Sequence, residues 1–190
     1  MERARAIEVI GATIGKNLIH NEQARARGRF TAICKDRYGN ILWQQTIENL
    51  VTTEGKNSLL DTGLGAVAQI TPWYIGLISS VSWSAVNVAD TAAQINGTNG
   101  WKEAGLANAP TYTGNRMTAV WSAAGAGSKA LSAALAFAIT GAGTVKGCFL
   151  VSSNTKDGTT GKLYSAGTFT GGDQVVANTN TLNVNYTASL

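Results

Sequence analysis

Histidine, cysteine, proline and charge are all scarce in this chain of 190 residues, and each scarcity removes a class of function. A single histidine, His20, and two distant cysteines, Cys34 and Cys148, cannot supply a structural zinc site, which needs four clustered ligands. Each cysteine sits in an apolar, strand-like run and reads as a small buried hydrophobe, so neither a disulfide nor a reactive thiol is expected. No apolar run approaches membrane-spanning length, and residues 1–11 lack the hydrophobic stretch of a signal peptide, so the expectation is a chain made in a cytoplasm. Only 14% of residues are charged. No glycine-rich segment is followed by the Lys-Ser/Thr and helix of a phosphate-binding loop.

What charge there is lies unevenly. Up to Arg37 there are 8 basic residues against 4 acidic ones, and the remainder carries 7 of each. The whole excess therefore lies before Tyr38, shared between a basic N-terminal arm, residues 1–27, and the first strand and turn of the body, residues 28–190. The arm also carries Ile7, Val9, Ile10, Ile14, Leu18 and Ile19, while Gly11 and Gly15 interrupt any helical period. A basic, aliphatic segment of this kind suits docking on an acidic surface. Its candidate contacts are Arg3, Arg5, Ile7, Ile10, Lys16, Arg25, Arg27 and Arg29. The cluster Arg25–Arg29 lacks interleaved aromatics, and direct nucleic-acid binding is not expected.

From Gly28 the pattern has period two. Phe30, Ala32 and Cys34 face one way, Asp36–Asn40 turns, and Ile41–Ile47 returns, predicting a β-hairpin. Thr52 or Thr53 then caps a short helix with Glu54 in its first turn. Leu59, Leu60 and Leu64 predict one apolar face that plugs the end of a sandwich, with Gly63 and Gly65 ending the helix in positive-φ conformations. Trp73–Ile78 reads as a buried strand entered through Pro72. Residues 79–115 predict a long excursion whose Trp83 and Trp101 suit interface anchors or core packing. Beyond Arg116, strands are expected at 117–122, 130–140, 144–152, 162–169, 174–177 and 181–187. Together these predict a mainly β protein, an antiparallel β-sandwich of jelly-roll type with one short helix and an extended N-terminal arm.

Candidate catalytic groups are thin. His20 lies outside the expected core, and the carboxylates, Glu103 and Asp90 among them, fall at turns and helix ends where capping explains them. The expectation is a protein that is not an enzyme and needs no cofactor or metal.

Asn49–Thr52, Glu54–Asp61, Trp73–Ile78, Trp101–Glu103, Arg116, Gly143–Leu150 and Leu163–Gly167 together resemble a group of small tailed-bacteriophage virion proteins. The resemblance implies a jelly-roll capsid cement or decoration protein, a homo-oligomer (dimer or trimer) on the capsid exterior whose partner is the major capsid protein. It implies no catalytic residues. Related small β-sandwich proteins occur in tails and fibres, so the alternative is a module that binds a host surface glycan through Trp83, Trp101 or Tyr112.

Overall fold

A computed structural model describes residues 25–65, 67–81, 84–97 and 100–190. The arm residues Arg3, Arg5, Ile7, Ile10 and Lys16, together with Trp83, lie outside the described residues. The described chain forms β1 (Arg27–Lys35), β2 (Ile41–Val51), α1 (Thr53–Leu64), β3 (Trp73–Ser79), β4 (Glu103–Ala104), β5 (Thr111–Tyr112) and β6 (Met117–Ala119). It continues with β7 (Ser128–Ala130), β8 (Leu135–Gly141), β9 (Gly143–Val151), β10 (Leu163–Thr168), β11 (Gln174–Val176) and β12 (Thr181–Ser189). Every strand pairing is antiparallel, along the path β4-β3-β9-β10-β2-β1-β12-β8-β5, with β6, β7 and β11 attached to β3, β12 and β9. This is the expected antiparallel β-sandwich, joined into a barrel-like sheet where the end of β2 crosses over to β10 through Leu50 and Val51.

The hairpin of β1 and β2 has the expected alternation: Phe30, Ala32 and Cys34 are buried, and Phe30 pairs with Ile47 on one side and Tyr186 on the other. At its turn, Gly39 adopts φ +89°, a conformation open to glycine at no steric cost. The Asp36 carboxylate accepts from the backbone amides of Tyr38 and Asn40 at 2.8 and 2.9 Å. The main core lies between the two faces of the sandwich and includes Phe30, Ile47, Ile75, Leu77, Phe137, Leu182 and Tyr186.

A second, smaller core lies on the other face of the β3-β9-β10 sheet. There Ala92, Ile95 and Trp101 from the excursion pack on Ile78, Phe149, Val151 and Leu163. β3 is consequently covered on both faces, and its last five residues are all buried. That double burial is the physical reason its sequence is a continuous apolar run rather than an alternation.

Helix α1 departs from expectation. Thr52 is its N-cap, accepting from the Gly55 amide at 3.0 Å, as the sequence predicts. The inward face, however, is Gly55, Ser58 and Thr62, at helical spacing of three and four residues. A Cβ on Gly55 would collide with the backbone carbonyl of Tyr164 in β10, so the helix seats on the sheet by close backbone approach. The leucines point the other way. Leu59, Leu60 and Leu64 are 41%, 57% and 87% exposed, which corrects their assignment to the sandwich interior. Gly63 is helical, and Gly65 ends the helix in an extended conformation at φ −104°, its amide bonded to the Asp61 carbonyl at 3.0 Å, so neither glycine serves through positive φ. Among the described residues no helix is long and apolar enough to cross a membrane.

Candidate functional site

The excursion is held by a buried polar cluster. Glu103 and Arg116 form a two-pronged ion pair, Nε to Oε1 at 2.8 Å and Nη2 to Oε2 at 2.7 Å, with both side chains removed from solvent. Arg116 also donates to the carbonyls of Ser153 and Gly158 at 2.9 and 2.8 Å, and its guanidinium lies over the Phe149 ring. Glu103 accepts from the Asp157 amide at 2.7 Å. Asn96 joins the same cluster, donating to the Asp157 carboxylate at 2.8 Å and accepting from the Glu103 amide at 2.9 Å. Burial pushes the Glu103 carboxyl above its ordinary range, with the Arg116 side chain pulling against it.

These groups are consumed by one another. Their work is to pin the 92–116 region to the loop after β9, since polar groups this deep are tolerated only when mutually paired. Asp90, the other carboxylate considered for chemistry, accepts from the Asn87 amide at 2.8 Å and from the indole Nε1 of Trp101 at 3.1 Å. Trp101 is fully buried against Phe149, with ring centroids 5.1 Å apart. It belongs to the second core and does not reach a partner, which corrects the interface role considered for it. Tyr112 is also buried, packed edge-on against Phe137 and beneath Lys156. Both cysteines are free and buried; burial raises the Cys34 thiol to about 11 and pushes Cys148 up as well, so both stay protonated near neutrality.

A hollow of mixed lining, about 510 Å³, lies beside the N-terminal half of α1, with Glu54, Asn57, Asp61 and Lys162 on one part and Val67 and Ile70 on another. Its central carboxylate is already committed: Glu54 accepts from the Leu163 amide at 2.7 Å and the Ala92 amide at 3.2 Å, and pairs with Lys162 at 3.5 Å. Among the described residues there is no cluster of three or more His, Cys, Asp or Glu that could hold a metal.

The open surface beside α1 is apolar. Leu59, Leu60, Gly63 and Leu64 of α1 form one wall of a groove of about 630 Å³, together with Arg25, Ala26, Lys56 and Leu190. Leu59 and Leu190 continue into a hollow of about 280 Å³ with Ala124, Lys129, Tyr164 and Ala188. Leu59, Lys129, Tyr164 and Ala188 also edge a third hollow, lined by Ile70, Trp73, Trp121 and Leu150. The three make one apolar surface running from the helix to the ends of β3 and β12, with Arg25, Lys56 and Lys129 along it. Of the arm-root cations, Arg27 and Arg29 lie on the same outward face of β1, and Arg29 pairs with Glu48 at 3.4 Å, both side chains exposed. The structure thus brings Arg25 to the groove and sets Arg27 and Arg29 on the sheet beside it.

This groove was not foreseen, because the adjacent leucines read as a core-facing stripe. The signal that could have found it is the run Gly55, Ser58, Thr62, three small residues on the opposite face of the same helix.

The fold and surface define a β-sandwich with a buried polar cluster and an apolar, cation-bearing groove beside Arg25 and Ala26. Compared with known protein families and with curated proteins, the chain matches none.

Proposed function

We propose that the chain is a structural protein of a tailed-bacteriophage virion, a jelly-roll cement or decoration protein that binds the assembled capsid from outside. The observation that carries this reading is the groove: an exposed apolar surface sits where the chain enters the sandwich at Arg25 and Ala26. Proteins rarely leave a contiguous apolar surface open unless it is an interaction site. The sequence resemblance supports the same class and supplies the partner, the major capsid protein.

The mechanism is thermodynamic. A protein that binds only the assembled lattice lowers the free energy of that lattice and not of its free subunits, so it stabilises the shell by mass action. Repetition of the same contact over a symmetric surface, and self-association into a dimer or trimer, adds avidity. Within each copy, Arg3, Arg5 and Lys16 meet acidic groups on the shell, and Arg27 and Arg29 present a second cationic row on β1.

The test is removal of residues 1–24, which leaves β1 whole because that strand begins at Arg27. The truncated chain is expected to unfold as cooperatively as the full chain and to lose cosedimentation with capsids. Undiminished sedimentation would overturn the arm's role. The alternative, a glycan-binding tail or fibre module, has lost two of its three aromatic candidates, since Trp101 and Tyr112 are buried. Binding of the purified chain to host-surface glycans in the absence of shells would restore it.

A further inference from the structure

We propose that the groove beside α1 is filled by residues 17–24 of the same chain, so that the arm has two parts: an anchor, 17–24, seated on its own domain, and a basic reach, 1–16, directed outward. This rests on the reading above and refines it: the groove holds the root of the chain's own arm, and the shell is met by residues 1–16 and the outward cations of β1 rather than by the groove floor.

The first observation is the groove's composition and exposure. Its floor is Leu59, Leu60, Leu64 and Leu190, the last 72% exposed, and four large aliphatics left open on one small surface call for a cover. The second is where the chain enters. Arg25 and Ala26 themselves line the groove, so the residues before them start at its edge. Ile19 is six residues and Leu18 seven residues from Arg25, and an extended chain advances about 3.3–3.6 Å per residue, which lets both side chains reach any part of a groove of this size.

The third observation is charge. Lys56 stands on the rim and makes no ion pair with a described residue. Residues 17–24 read NLIHNEQA, with Glu22 as their one formal charge, whereas Arg3, Arg5 and Lys16 all fall earlier. The segment nearest the groove is therefore apolar and acidic, complementary to an apolar floor with a cationic rim. Residues 1–16, further away, carry three cations against Glu2 and Glu8 and so a net charge opposite in sign to that of 17–24. A second copy's segment has the same chemistry, but the chain's own is tethered at the site, at an effective concentration in about the millimolar range.

The experiment is tryptic cleavage after Arg25 in the full chain, compared with Leu18→Asp/Ile19→Asp, with Leu60→Asp/Leu64→Asp, and with all four changes combined. The two helix positions are exposed, so their replacement leaves the sandwich folded, which far-ultraviolet circular dichroism monitors. If the anchor is seated, cleavage follows the population of the released form. Each pair of changes is then expected to raise the rate by about tenfold or more, and the combination to add nothing further. The rate should also be independent of protein concentration. Unchanged rates, or effects that simply multiply, would overturn the proposal. So would protection that grows with protein concentration, because the groove would then be filled by a neighbouring copy. Capsid cosedimentation of the same variants separates the two readings. Absent protection with intact shell binding removes the anchor alone, and intact protection without shell binding removes the capsid reading alone.

Discussion

Arg116 shows how much of this fold depends on single buried groups. Its guanidinium satisfies Glu103 and two backbone carbonyls from the loop after β9, all away from water. Removing one partner of such a pair strands the other charge, which costs about 3–5 kcal/mol. Arg116→Met is therefore expected to lower the unfolding free energy by about that amount in urea titrations. Adding Glu103→Leu should recover only part of it, because the Ser153 and Gly158 carbonyls and the Asp157 amide remain unpaired. Full recovery would mean that these backbone groups find water. At this scale the sequence was least legible. Glu103 and Arg116 are 13 residues apart in an irregular region, and nothing in local pattern announces that two isolated charges meet in the interior. Trp101 was ambiguous for the same reason, since an indole suits an interface and a core equally, and only the covering of Phe149 decides.

Elements were easier to read where period two held, and harder where both faces of an element are used. β1, β9, β10, β11 and β12 fall within about two residues of their expected places, because alternation and Gly/Asn turns mark them locally, whereas the strand expected at 130–140 is split, with β7 ending at Ala130 and β8 starting at Leu135. β3 reads as a buried strand without alternation, and that run already implied a cover on its second face, which the excursion supplies through Ile95 and Trp101. Helix α1 was placed correctly and oriented wrongly. Large apolar residues normally mark the inward face of a helix, but here backbone proximity to Tyr164 demands a residue without a side chain.

Two glycines of α1 test this orientation with the same substitution. Gly63 has nothing within reach of an added Cβ, so Gly63→Ala should stabilise by up to about 1 kcal/mol through helix propensity. At Gly55 the propensity gain is the same, but the methyl group meets the Tyr164 carbonyl. Gly55→Ala should destabilise, by about 1–3 kcal/mol as overpacking usually does. Equal effects at the two positions, measured by denaturant midpoint at unchanged slope, would contradict the seating of the helix on β10.

For the whole molecule, the β-sandwich could be read from turn spacing, and the crowding of cations toward the N-terminus from composition. The apolar surface could not, because it is made from α1, the strand end at Ala188 and the chain entry at Arg25, which are brought together only by the pairing of β1 with β12. That juxtaposition places the apolar groove beside the outward residues Arg27 and Arg29 of β1. The most direct test of the capsid reading is the number and position of copies in purified phage particles that carry the chain, by quantitative mass spectrometry with cryo-electron microscopy. A cement protein is expected at on the order of hundreds of copies per particle, arranged over the capsid lattice by its symmetry. Copies confined to the tail, or no copies in the particle, would contradict it.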